Sequence, residues 1–593
     1  MTMQSDSRHP SAPAGRSDGT RFGTWFGPED APLFGVVDLP ADGRCRGAVV
    51  LCPPIGKEQV DSYRALVYLA QQLRARGLLV LRFDYRGTGD SPGAQDDSDA
   101  VAGWLDSIRK AVEYVRSCGV MDIGLVGLRV GALLAAQVAA TCAPVRAVTL
   151  WDPVVRGRGY LRKQTALHQM VVGAEDTDDP RVTLIGAVLA PAAASALSAM
   201  SLRAATPPPG AKVLMALRES EVDSVGTRET VEAWNAETFT VHDYESFLEP
   251  ADFAVRLPFG DADRIAGWMS ASFGDHCDSV ALELRASAVV DRTVDGRQVV
   301  ETLEFAGASE LFTIRTFVAA TPGAAEPTVI FHGTANEHRV GPVRLWAETA
   351  RELAAHGIVS VRFDRRGTGD TGLVQHGECT TIYTDESRDD AVDIISVSGA
   401  QPDKIVLAGM CSGAWNSSYA ALRRPVRAVV LVNMADWTIT RKAFVKQSTM
   451  SADHHSLKGR VLALLHRHAA TAKKYLRLWV PYRGWLWLGR AGLLQVPEVM
   501  LAPLNERGVH TTVLLSPIDY AAFVENHGER SLRRLRRAGW NGRLVTYPSG
   551  DHSLYSTALR DRVMRDVLAT ALGELTVNRV DDDRDDSRPE LAG

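Results

Sequence analysis

Two consecutive α/β units are what this 593-residue sequence predicts, each a mostly parallel sheet flanked by helices and interrupted by a helical lid insertion. Three observations carry that expectation. The chain repeats itself internally, short apolar strands alternate with helix-length segments, and a strand–turn–helix in the second half places glycines around a cysteine.

The repeat is direct. Residues 78–91 read LLVLRFDYRGTGDS and residues 358–371 read IVSVRFDRRGTGDT, at an offset of 280. Gly127-Leu128-Arg129-Val130-Gly131 answers Gly409-Met410-Cys411-Ser412-Gly413 at 282, and Val145-Arg146-Ala147-Val148 answers Val426-Arg427-Ala428-Val429 at 281. Three matches in one order at a nearly constant offset read as a duplication.

Each half then runs through the same elements. An apolar strand (48–52; 328–331) leads to an amphipathic helix (64–76; 343–356), and a second strand (79–83; 359–363) ends in Arg-Phe-Asp and a Gly-rich turn. Another helix (102–117; 384–395) precedes a third strand (123–126; 405–408). This alternation implies βαβ units with right-handed crossovers and helices on both faces of the sheet. The β-branched runs 280–290, 298–305 and 310–319, parted by Asp295-Gly296 and Gly307, read as antiparallel strands that open the second unit. The expected division is a disordered N-terminus 1–20, a first unit 21–275, a second unit 276–578 with its lid at 436–510, and a disordered acidic tail 579–593.

Composition narrows the function classes. Hydrophobic residues at 45% and charged residues at 23% are ordinary for a soluble globular chain, and a net charge of −5 gives no whole-chain reason to expect nucleic acid. Seven cysteines are scattered without a disulfide or metal spacing, so no metal and no cofactor are expected. No basic stretch followed by an apolar one comes after Met1, and no apolar run reaches spanning length, so a cytoplasmic location is expected.

The chemistry concentrates at the second elbow. A nucleophile between strand and helix sits in a strained conformation, and the residues two before and two after it must be small. Gly409 and Gly413 meet that requirement around Cys411, and a thiol at a helix N-terminus is favoured as thiolate. An acid and a histidine then follow in the order this arrangement needs: Asp519 in the loop after a strand at 512–515, and His552 just past a strand at 544–547. A buried structural cysteine is the bland alternative for Cys411, and the coincidence of three ordered positions argues against it. Ser412 is expected to contribute a backbone N–H, and that group, with one from His332-Gly333-Thr334, would form an oxyanion hole. Asp551, Glu525 and His527 are weaker candidates for the supporting roles.

These motifs resemble the α/β-hydrolase superfamily over about 320–575, and over 35–255 without the triad. RFDYRGTGDS and GLRVGA are similar to hydrolases associated with exosortase and polysaccharide gene clusters and to serine-aminopeptidase-type hydrolases. That resemblance implies a serine nucleophile, from which Cys411 departs; cysteine there is similar to dienelactone hydrolases and polyhydroxyalkanoate synthases. Acyl transfer or thioester chemistry therefore competes with simple ester hydrolysis. The expected substrate is an acyl ester or a thioester, with an acyl-carrier protein or coenzyme A as the carriers a thioester implies.

The first half departs further. Arg129 holds the nucleophile position, where a permanently protonated guanidinium cannot attack a carbonyl. Pro53 and Pro54 lack the N–H donors of an oxyanion loop. Arg129 is expected either to pair with Glu219, Glu221 or Asp223, or to bind an anion in a vestigial pocket. The lid at 436–510 interleaves basic residues with Trp437, Tyr475, Trp479, Tyr482, Trp485 and Trp487. Its aromatics are expected to line an acyl pocket, and a docking role toward an acidic carrier or a membrane surface stays open. An acyl-transfer enzyme with an inactive first unit is thus the leading expectation; a non-catalytic scaffold of paired degenerate units, or a nucleic-acid binder using the lid, are the alternatives. The Arg-Phe-Asp and Gly-rich turns persist in the half that lacks a nucleophile, so they are expected to serve folding. On that reading Asp364→Asn lowers thermal stability more than specific activity.

Overall fold

A computed structural model describes residues 14–573 apart from 143, 174–178, 243, 249–254, 320–326, 381 and 440–479. It contains two large sheets of the α/β-hydrolase order. From edge to edge the first runs Arg21–Phe26, Leu33–Asp38, Leu79–Phe83, Ala48–Cys52, Ile123–Leu128, Ala147–Trp151, Lys212–Arg218 and Glu237–Val241. The opening strand pairs are antiparallel and the rest are parallel. The second sheet keeps the order and adds an edge strand: Ser287–Arg292, Gln298–Ala306, Leu311–Val318, Val359–Phe363, Thr328–His332, Ile405–Met410, Ala428–Val432, His510–Leu515 and Gly542–Thr546. Central strands such as Ala48–Cys52 and Ala428–Val432 are buried along their whole length, as expected where helices cover both faces.

Several boundaries move. Residues 14–20, expected to be disordered, are packed: Ala14 is buried and Arg16 pairs with Glu310 at 2.9 Å. The expected division near residue 275 lies too early. Asp278–Ser279 pairs with Arg44–Cys45 of the first half, and the strand expected at 280–290 begins only at Ser287. β-branched residues at 280 and 289–290 made one run out of a connecting segment and a strand. The acidic tail lies outside the described residues.

The repeated turns lock the halves together. Arg82 of the first turn pairs with Asp370 of the second at 2.7 Å, and Arg362 of the second pairs with Asp90 of the first. Arg64 donates to the carbonyls of Gly369, Thr371 and Gly372 at 3.2–3.3 Å, while Arg344 donates to those of Gly87, Gly89 and Ser91 at 2.7–2.9 Å. Arg64 and Arg344, like Arg82 and Arg362, are 280 apart in sequence, so each contact is answered by its counterpart, as across a two-fold interface. At the centre, buried Arg339 pairs with Asp90 at 2.8 Å, Asp364 at 2.5 Å and Asp370 at 3.1 Å. Around this charged centre lies an apolar layer in which Trp25, Phe34 and Val36 pack with Val299, Leu303 and Phe312. Phe34 and Phe312 meet edge to face at 5.9 Å.

Candidate active site

The strand Ile405–Met410 turns sharply into the helix Ser412–Ala421 at Cys411, whose φ of 49° lies in the region L-residues avoid. Such a conformation costs about 1–3 kcal/mol and persists only where the surroundings impose it. They do. A Cβ on Gly409 would stand 2.3 Å from the Gly413 carbonyl carbon, and one on Gly413 would stand 2.3 Å from the His332 oxygen. The turn is pinned by a bond from Cys411 N–H to the Val432 carbonyl at 2.8 Å. Cys411 is half-buried and stands at the N-cap position of the helix, without a side-chain cap hydrogen bond.

His552 meets the thiol from the loop after the last strand. Its Nδ1 lies 2.8 Å from Asp519 Oδ1, and the ring borders the same cavity as Cys411, close enough to interact with it. Asp519 sits in the first turn of the helix Pro517–Glu525 rather than in an open loop. Ser516 Oγ donates to its second oxygen at 2.5 Å. Asn433 ties the two loops together, accepting from Ser516 N–H at 2.8 Å and donating to the His552 carbonyl at 2.8 Å. Neither Ser516 nor Asn433 emerges from sequence reasoning. The signal for Asn433 is its place just past the strand Ala428–Val432, where the first half has Asp152, and both residues have positive φ.

The competing candidates are otherwise engaged. The Asp551 carboxylate accepts backbone N–H groups of Ser553 and Ser556 at 2.9 Å and of Tyr555 at 3.1 Å, which shapes the loop that presents His552. His527 packs its ring edge-on against Trp485 at 4.9 Å. Glu525 closes the helix that begins at Pro517, a full helix away from Asp519.

Burial opposes charge on His552, but the hydrogen bond to Asp519 and the interaction with the neighbouring Cys411 prevail and raise its pKa to about 10. A histidine whose pKa is higher folded than unfolded stabilises the fold fully below its ordinary value near 6.5, and that contribution is lost as pH rises through about 10. Asp519→Asn removes the main support for the charge. The wild type's advantage in Tm over this variant is therefore expected to shrink between pH 7 and pH 10, as read by thermal melts in matched buffers. An advantage that stays constant over that interval would contradict the pairing.

The expected oxyanion residues gather beside the thiol. Thr334 and Ala335 line the cavity with Cys411; Gly333 and Ser412 are not part of that lining, although the Gly333 carbonyl oxygen lies 2.9 Å from where a Cβ on Gly413 would stand. Ser412 Oγ accepts from Ala335 N–H at 3.0 Å and contacts Thr334 Oγ1 at 3.1 Å, which fixes this loop against the elbow helix. His332, buried and in contact with Ser417 Oγ at 2.9 Å, is lowered by burial to about 4 and stays neutral. The cavity has a volume of about 420 Å³ and is bounded by Cys411, His552, Tyr383, Met410 and Tyr555 on the second-half side. Another part of its wall comes from the first half, a contribution nothing in the sequence indicates.

Two expectations are corrected here. Arg129 has the elbow backbone, with φ 55°, but its partners are Glu58 at 3.1 Å and Asp152 at 3.2 Å rather than Glu219, Glu221 or Asp223. Glu58 comes from the helix that faces the elbow and Asp152 from the adjoining strand end, whereas the strand end after 217 delivers Arg218, which joins Asp152 at 2.7 Å. The loop after the last strand lays Tyr244 over the Arg129 guanidinium at 5.6 Å. The aromatics of the second-half lid, where described, do not line the cavity. Trp437 packs on Phe523 at 5.5 Å, Tyr482 and Trp485 fill a small core of their own, and Trp487 is exposed. Tyr475, Trp479 and most of the lid's basic residues lie outside the described residues.

Comparison with known proteins places this geometry in context. The serine aminopeptidase S33 family model matches residues 43–174, which lie in the half whose elbow carries Arg129. No curated protein matches the chain. Among solved structures, Est1E from Butyrivibrio proteoclasticus is similar at 16% identity and a TM-score of 0.32, covering 42% of this chain and 98% of its own. The esterase domain from a Rhodothermus marinus protein is similar at 15% identity and a TM-score of 0.31, covering 42% and 96%. Dienelactone hydrolase from Anabaena variabilis is similar at 14% identity and a TM-score of 0.27, covering 47% and 98%. Among the described residues no helix is long and apolar enough to cross a membrane, and no group of three or more His, Cys, Asp or Glu could hold a metal ion.

Proposed function

We propose that the chain is an acyl-transfer enzyme acting through Cys411, His552 and Asp519, with the first half devoid of chemistry of its own. The observation that supports this most is a single imidazole that hydrogen-bonds Asp519 and neighbours Cys411 at the edge of a cavity. In this reading the Cys411 thiolate attacks the carbonyl carbon of an ester or thioester. Charge builds on the carbonyl oxygen, where backbone N–H groups of Ser412 and of the 333–334 loop would receive it. His552 then protonates the departing alcohol or thiol as the tetrahedral adduct collapses to an S-acyl enzyme. Water or a second nucleophile gives a proton to His552 and attacks the acyl-cysteine, and the carbon–sulfur bond breaks to release the acyl product and the Cys411 thiolate. Asp519 holds the ring and stabilises its charge throughout.

A scaffold of two inactive units is the competing reading, favoured by the ion-paired Arg129 and the buried interface. Iodoacetamide separates the two. Among the free cysteines, Cys45, Cys52, Cys118 and Cys142 are buried, Cys379 is exposed, and Cys277 and Cys411 are partly exposed. An activated Cys411 is expected to alkylate well before the more exposed Cys379, as read by peptide mapping over time. Alkylation in order of exposure alone would favour the scaffold.

A further inference from the structure

The cavity beside Cys411 is completed by the first half. The helix Lys57–Ala75 brings Val60 and Asp61 to it, and the hairpin made of Val182–Leu184 and Ala187–Leu189 brings Ile185 and Val188. The hairpin is clamped to the helix start. Lys57 N–H donates to the Ile185 carbonyl at 3.0 Å. A Cβ on Gly56 would stand 2.7 Å from that same carbonyl oxygen, and one on Gly186 would stand 2.5 Å from Lys57 N. Only glycine allows so close a junction, and both residues have positive φ, 64° and 80°. The wall is also tied to the oxyanion loop, because Asn336 Nδ2 donates to Asp61 Oδ1 at 2.9 Å. A piece of the first half is thus held in fixed register with the nucleophile of the second.

The chemistry of the lining divides. Ile185 and Val188 are buried and apolar. Glu337 and His338, on the second-half side, belong to the same cavity lining, the His338 ring resting 4.3 Å from that of Tyr63; among the described residues, Glu337 Oε2 and both ring nitrogens of His338 are buried without a hydrogen-bond partner. Burial, helped by nearby Arg339, lowers His338 to about 3, so its ring is neutral and offers one donor and one acceptor. Burial raises Glu337 to about 8, which leaves it largely protonated and able to donate at neutral pH. Unmade bonds at such atoms are unfavourable, so a ligand that completes them gains affinity where a plain hydrocarbon would not.

We infer that the first half is the specificity-determining half of the enzyme, and that the cavity takes a thioester of medium chain length. Its acyl chain lies on the Ile185–Val188 wall, and its amide-bearing thiol arm meets Glu337 and His338. This rests on the acyl-transfer reading for the chemistry but not for the binding, and the test keeps the two apart. Full-length Cys411→Ala protein is titrated by calorimetry with octanoyl- and acetyl-N-acetylcysteamine thioesters, and with an octanoyl thioester of ethanethiol, which lacks the amide. Adding Val188→Trp is expected to weaken the octanoyl conjugate about tenfold or more and to change the acetyl one by less than about twofold. Adding Val188→Ala shifts preference toward decanoyl, which keeps the test valid should the tryptophan variant fold poorly. Removing the amide weakens binding by a similar factor.

Octanoyl affinity unmoved by both Val188 variants overturns the assignment of the wall. Equal affinity with and without the amide overturns the assignment of the arm, and failure of the octanoyl conjugate to bind the Cys411→Ala parent overturns both. Wild-type turnover of the same thioesters is measured in parallel. Binding without turnover counts against the acyl-transfer reading and leaves the cavity assignment standing.

Discussion

Replacing Cys411 with alanine is expected to lower turnover of the best ester or thioester substrate by roughly four to six orders of magnitude, with substrate binding retained. The size follows from what the thiol does. In the proposed mechanism it is the atom that forms the bond to the acyl group, and the seats of Asp519 and His552 are set by Ser516 and Asn433 rather than by the sulfur. Without the nucleophile, His552 could at best activate water directly, with the residual rate coming from the oxyanion donors and substrate positioning. Steady-state kinetics on purified protein, with a melt to show that the fold is intact, provide the check. Wild-type activity in Cys411→Ala would remove the triad from consideration. Cys411→Ser is a poorer probe, because a hydroxyl at this elbow needs stronger help from the base than a thiol does.

The second large effect is on stability. Arg339 is fully buried between Asp90, Asp364 and Asp370, the first from one half and the other two from the other. Burial opposes ionisation of Asp90 and Asp370, yet the surrounding guanidinium groups hold both below the ordinary carboxylate range. Arg339→Met leaves three buried carboxylates around a missing charge. Breaking a buried pair in this way costs about 3–5 kcal/mol, so the Tm is expected to fall by roughly 10 °C. The loss is expected to fall on both halves together, because the same residues pair the two turns. Asp364→Asn is milder: it keeps the shape and one of the two acceptor oxygens, so it can still accept from either Arg339 N–H or Asp370 N–H but not from both, and it forfeits the charge. It should lower the Tm by less than Arg339→Met while leaving specific activity close to wild type. Arg339→Met protein that melts like wild type would show that the turns do not carry the interface. An Asp364→Asn protein that melts like wild type yet has lost turnover would move the turn into the active site.

How much of this the sequence discloses depends on whether the information is local. The elbow at 409–413 was legible because its requirement, small residues two before and two after a strained position, is written in five consecutive residues. The Asp519 and His552 positions followed from strand order, although the helix that carries Asp519 was not foreseen, since Pro517 at its start read equally as a loop signal. The repeat at 280 showed that the two turns matter without showing what they touch. Only the folded chain reveals that Arg82 reaches Asp370 and Arg362 reaches Asp90. The lid misled for a physical reason. Interleaved aromatic and basic residues can cover a pocket or form a satellite core, and Tyr482 and Trp485 do the latter. The first-half wall was invisible because Ile185 and Val188 form an unremarkable apolar run until a second half is laid against them.

The most direct test of the account is to catch the acyl group on the sulfur. Wild-type protein is mixed with a pool of acyl thioesters, quenched in acid within the first turnovers, weighed intact, and mapped by peptide. The account predicts a mass increase of one acyl group on the peptide that contains Cys411, with none in Cys411→Ala. Turnover proceeding with the acyl group on Ser412 or another residue, or with Cys411 unmodified at every quench time, would contradict it.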